Sequence, residues 1–317
     1  MNKNFKTSSI TEAAMIAGIL VVMALLSYYI LPFLEFLFPV PAIVLSKRKG
    51  FKYSIMAMVS ASLIVTMLLG IPVGVMYLVL YTPVGGVMSY MIGKDQKASK
   101  VIVVGGFVVV VSIVVLLSML KLFMNVSLVD SINESIEEVL TMQGKLVDSM
   151  NLDKSTFDMT ANMFREATDY FIMVMPAFFI AISFLFVVAN YFVAQMVLYK
   201  LQIPMVHIKD LCFFYLSRTT AIIMFSTVLF AFILKYAGYN QMDIMYENLF
   251  TLVRLALLVQ GLAIVKYYLV QRKVSGVIRF LSFLAIIFIP IVSFGVMLVS
   301  LADCMVDFRK LRIKIDN

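Results

Sequence analysis

The chain has no tryptophan, one histidine and two cysteines, and only 14% of its residues are charged. A lone His207 cannot build an imidazole metal site, and no H-E-x-x-H occurs. Cys212 and Cys304 make neither a disulfide framework nor a zinc spacing. There is no G-x-x-x-x-G-K-[ST] loop, so the chain is not expected to hydrolyse ATP itself, and no serine or cysteine has a neighbouring base. No metal, no cofactor and no enzymatic activity are therefore expected. Soluble domains are about 25% charged and about 45–50% apolar. A chain that is 62% hydrophobic with mean hydropathy +1.01 is instead an integral membrane protein. The net charge of +8 does not indicate nucleic acid, because Lys and Arg collect at the chain ends and between apolar runs. That is the distribution that keeps basic loops cytoplasmic.

What is present is apolar runs, interrupted once by a long acidic stretch. Residues 125–169 hold nine acids against three bases, a composition that a bilayer rejects. They divide the chain into a first transmembrane half (1–124, five crossings), an extracytoplasmic acidic helical insert (125–169), and a second half with a basic cytoplasmic tail (170–317). The expected fold is all-α, a polytopic bundle with eight crossings plus a C-terminal hairpin or single kinked helix. Helix one spans about 11–31, with Thr11 or Ser9 as cap and Glu12 in its first turn. The next piece, Phe33 to Ser46, is short for a span and broken by Pro39 and Pro41. The basic loop 47–52 and the loop 94–100 are expected inside. Within the insert, Ile132, Ile136, Val139, Leu140 and Val147 recur at helical spacing, and a second helix starts near Ser155 and runs on into the next span. Those helices either lie on the outer face of the bundle or form a lid. The last run, 277–306, has Pro290 at its middle and four bases after it (Arg309, Lys310, Arg312, Lys314), which favours a hairpin with the tail inside.

A charge in mid-span needs a reason. Arg254 lies about two turns into helix eight, and Glu247, Thr251 and Arg254 recur at offsets that return to one helix face. They form a candidate substrate-binding stripe open to the outside; the alternative is an Arg that pairs with a neighbouring acid or snorkels. Glu35, beside Pro32, is the candidate acid partner or ligand group. Asn190, Gln195 and Gln260 read as interhelical hydrogen bonds. Small residues at four-residue spacing allow close helix contact. Ala13, Ala17 and Gly18 in helix one are a candidate partner-docking face, and Gly85, Ser89 and Gly93 in helix four a packing face.

The pattern Thr11-Glu12-Ala13-Ala14, the Pro83-Val84-Gly85-Gly86 stretch with Gly93, and the ending Asp303-x-x-x-Asp307-Phe308-Arg309 together resemble the YybS family of multi-pass membrane proteins of the bacterial envelope. That family is in turn distantly similar to the S-components of energy-coupling factor transporters. The resemblance implies a small-solute-binding subunit in a bacterial cell membrane, whose helix-one small residues contact a transmembrane coupling subunit, with ATPase subunits as further partners. It implies no particular ligand. A non-transporting scaffold that works through contacts with other envelope proteins is the other reading.

Overall fold

The computed structural model describes residues 3–150, 153–239 and 242–311. The tail bases Arg312 and Lys314 lie outside the described residues. Every regular element among those described is helical, and seven helices are long and apolar enough to cross a membrane. A pair bent by 99° adds an eighth if it is one span. The chain forms two compact units: Met1–Thr168 with Phe179–Ile208, and Asp169–Phe178 with Lys209–Asn317.

The first unit begins with α1 (Lys3–Tyr29). The helix starts well before Ser9, so neither Ser9 nor Thr11 caps it, and Glu12 lies in its third turn. There Glu12 pairs with Arg48 at 2.9 Å and Lys49 at 3.4 Å. The short second piece is a 3-10 turn, Pro32–Leu37, followed by α2 (Pro39–Lys49). Six residues at about 2.0 Å and eleven at about 1.5 Å rise give roughly 28 Å, close to a bilayer core. The expected second crossing is therefore a broken helical segment, not a firm span. Each piece opens on a proline, where the missing N–H has no helical acceptor to lose. Seven of the eleven α2 residues are buried, whereas none of the 3-10 turn is.

Gly50, at φ +102°, turns the chain into α3 (Phe51–Leu69). At the far end Gly70 (φ +92°) reverses it into α4 (Ile71–Met76). Gly74 then lies so near Thr66 that a Cβ would sit 2.6 Å from its Cα, so only glycine permits this approach. A π-helical turn, Tyr77–Tyr81, joins α4 to α5 (Thr82–Gly93). The cause is legible in the chain: the Pro83 ring would clash with the Val79 carbonyl and has no N–H to offer it. The ladder widens instead, and the Thr82 amide reaches back five residues to the Tyr77 carbonyl. Lys47 pairs with Asp95, which brings the basic loops 47–52 and 94–100 to one end of the unit.

α6 (Ala98–Met124) packs by Gly105 and Gly106 against Val187 and Phe184 of the helix Lys154–Lys200. α7 (Leu128–Ser149) is capped by Ser127, and α8 (Lys154–Lys200) by Asp153. At 47 residues α8 is about 70 Å long, more than twice a bilayer core, so its first turns extend beyond the membrane. Those turns pair with α7: Leu140 and Ala161 are buried, and Arg165 grips Glu137 with both Nε (2.7 Å) and Nη2 (2.9 Å). The insert is thus a helical hairpin whose second arm is the span itself.

The second unit contains α9 (Arg218–Tyr236), α10 (Met242–Gln271), α11 (Gly276–Phe288) and α12 (Pro290–Val306). α11 and α12 meet at the 99° bend, with Pro290 as the first residue of α12. α12 lies along α10, where Val296 and Ser300 crowd Gly261. Its C-terminal end reaches the Cys212 carbonyl through Arg309, beside the Lys266–Asp210 pair. Both ends of the α11–α12 pair therefore lie toward the C-terminal end of α10, as a hairpin requires and one continuous crossing does not.

Candidate functional site

Polar groups meet in the first unit where the 3-10 turn passes the π-helical turn. The 3-10 turn carries Glu35, half-buried, with the Tyr81 hydroxyl beside its carboxylate. One turn earlier in the π segment, Tyr77 lies beside Ser27 of α1, whose hydroxyl donates to the Pro32 carbonyl at 3.0 Å. Tyr77 and Tyr81 are 1% and 3% exposed, so these hydroxyls work in a dry environment. Four residues apart, Tyr77 and Tyr81 share one face of the helical segment, with ring centroids 5.2 Å apart. Phe38 stacks edge-on to Tyr77 at 4.7 Å, and Phe186 lies 6.0 Å from Tyr81 and 6.1 Å from Phe36.

Asn190 of α8 closes the group. Its amide nitrogen donates to the Phe36 carbonyl (2.8 Å) and to Phe186 (2.9 Å), which satisfies a carbonyl freed by the break. The side chain is fully buried, and Oδ1 has no hydrogen-bond partner. Among the described residues no base pairs with Glu35. The site therefore presents one uncompensated acid and spare acceptors within an aromatic wall.

The residues singled out from sequence separate on this geometry. Glu35 finds its partner inside its own unit, in Tyr81. The Glu247–Thr251–Arg254 stripe is spread over positions of different burial. Glu247 leans toward Lys235 of α9 at 3.6 Å, Lys235 also holds Asp243 at 3.1 Å, Thr251 is buried, and Arg254 is exposed over the Phe250 ring at 5.7 Å. The stripe straddles the border between the packed and open faces of α10, because offsets of four and seven still leave about 60° between Thr251 and Arg254. In helix one, Ala13 and Ala17 are buried in the first unit's core, while Gly18 is exposed, with nothing within 4 Å of the place a Cβ would take. The two alanines are spent on internal packing and Gly18 alone faces outward. Gly85 lies against Met58 and Pro39, and Gly93 against Ser46. Ser89 accepts from Ser46 at its carbonyl (2.8 Å) and bonds Ser54 through its hydroxyl (3.0 Å), which makes that face an α2–α3–α5 seam.

Two groups were missed from sequence. The first is Asn248 of α10. Its Oδ1 accepts from the Ala177 amide (2.8 Å), and its Nδ2 donates to the Met173 carbonyl (2.7 Å). These are the two ends of one i→i−4 bond of α8, opened next to Pro176 and bridged by a side-chain amide. A proline in one span and an amide in another were the available signal. The second is the buried pair Asp303–Arg309 at 3.0 Å, with Gln260 donating to Asp303 (3.2 Å) and accepting from the Leu216 amide (2.7 Å). Asp307, in the left-handed region at φ +54°, turns the chain so that Arg309 returns to Asp303. The Asp-x-x-x-Asp-Phe-Arg ending is thus a latch.

No curated protein and no solved structure matches the chain. A family model described as a predicted membrane protein (DUF2232) matches residues 16–304, nearly the whole sequence that folds as these helices. The chain belongs to that family of membrane proteins.

Proposed function

We propose that this multi-pass membrane protein is the solute-binding subunit of a bacterial cell-membrane transport system that takes its energy from a separate ATPase. The observation that carries the reading is the Glu35–Tyr81–Tyr77 group, built where a proline-broken crossing meets a π-helical turn. Non-helical backbone at membrane depth is costly, and proteins keep it where other protein buries it or where it borders a cavity. π turns inside helices collect at functional sites. The N-terminus and the basic loops lie in the cytoplasm on this reading, and residues 125–169 with the Glu35 end face out. The absence of a nucleotide loop assigns energy coupling to a partner, as the likeness to the YybS family and to S-components suggests. Native mass spectrometry of the gently solubilised protein tests this: a retained small molecule, or copurified coupling and ATPase subunits, is expected. A bare chain that no solute stabilises would contradict it.

A second reading, an envelope scaffold, draws on the α7–α8 hairpin. Val139, Met142 and Leu146 on α7 and Met159 and Met163 on α8 are all more than half exposed. On that reading, removal of 132–150 abolishes capture of a partner and leaves solute binding untouched.

A further inference from the structure

We infer that the solute carries a protonated amine, whose N–H groups seat against the Glu35 carboxylate and the acceptors beside it. This deepens the solute-binding reading and rests on it. The inference comes from the imbalance of donors and acceptors. Beside Glu35 stands the Tyr81 hydroxyl, a single donor, whereas an ionised carboxylate offers about four acceptor positions. Asn190 Oδ1, fully buried and without a partner, belongs to the amide whose nitrogen already holds the Phe36 carbonyl, the residue next to Glu35. Glu35, with acceptor positions to spare, and Asn190, with Oδ1 unpartnered, are thus tied to adjacent residues of the 3-10 turn. Among the described residues no base approaches Glu35, so nothing in the protein supplies the missing positive charge. A lone carboxylate in such a setting either takes up a proton or is stabilised by a cation that joins it. An ammonium group supplies both the charge and up to three donors. The wall suits its carbon portion: Phe36 is partly exposed and backed by Phe186, and ring faces attract a cation. An anionic solute would add a second negative charge to Glu35, and a neutral alcohol would leave the carboxylate uncompensated.

The test uses the full chain in nanodiscs, with thermal unfolding followed at constant ionic strength in propylamine, propanol, propionate or tetramethylammonium. Propylamine is expected to give a saturable rise in Tm, with tetramethylammonium weaker because it has no N–H, and no rise with propanol or propionate. Glu35→Gln, which keeps the shape of the side chain, should abolish the propylamine response, and Tyr81→Phe should weaken it several-fold. The proposal is overturned if propylamine does no more than propanol, or if its effect survives Glu35→Gln. If Glu35→Gln melts far below the parent, the propylamine response of Tyr81→Phe decides, and an undiminished response there overturns the proposal. Should a retained solute prove anionic or neutral by mass, the amine assignment falls and solute binding stands. Should no class stabilise the protein and no solute be retained, both fall.

Discussion

At the residue scale, two arginines that look alike in sequence behave oppositely. Arg309 is 2% exposed and is held by Asp303 and the Cys212 carbonyl, whereas Arg254 stands on the surface of α10 over one ring. Removing one partner of a buried pair leaves the other charge stranded, at about 3–5 kcal/mol. Arg309→Ala should therefore lower Tm steeply, while Arg254→Ala should cost no more than about 0.5 kcal/mol, the usual range for an exposed substitution. Chemical or thermal unfolding in detergent measures both. Sequence reasoning favours Arg254 because hydropathy places it in mid-span, and it treats Arg309 only as a tail charge. Depth along a helix is legible in a sequence; the direction a side chain faces around the axis depends on the neighbouring helices. Glu35 is legible because the proline break is a local signal, and its tyrosines are not, because they lie more than forty residues away.

At the scale of elements, long periodic runs and their breaks were legible. The helical insert, the continuation of its second arm into a span and the bend at Pro290 all follow from local chemistry. Repairs to a broken ladder were not, because they come from other elements. Asn248 restores the open α8 bond at Ala177 and Met173. Asn248→Leu should leave a buried amide and carbonyl unpaired at about 1–3 kcal/mol. Faster hydrogen exchange is expected at Ala177 and its neighbours, measured by mass spectrometry, with no change in α6. The segment before α9 is held by a charge contact. Burial alone would raise the Asp210 carboxyl, but the Cys212 amide and the Lys266 ammonium outweigh it and hold it down at about 2. Its folded value lies below its unfolded one, so the stabilisation is present above the ordinary carboxylate range and lost as pH falls through about 2. Lys266→Met should raise the pH at which acid loosens this segment, as followed by proteolysis of the 209–217 stretch.

At the scale of the whole molecule, one electrostatic rule and one chemical site carry the account. Within the first unit, Lys47–Asp95 and Glu12–Arg48 collect the basic loops at one end. α1 and α6 run from that end to the opposite one, where α7 begins and the 3-10 turn of Glu35 starts. If the basic end is cytoplasmic, the acidic hairpin and the approach to Glu35 share the exterior. The native cysteines leave the background clear for a labelling test: both are buried, and burial together with Asp210 pushes the Cys212 thiol up to about 11. The decisive measurement is reaction of Glu138→Cys with a membrane-impermeant maleimide in intact cells. Labelling before permeabilisation is the result this account predicts; labelling only afterwards would invert the threading, and a binding site open to the outside could not survive it.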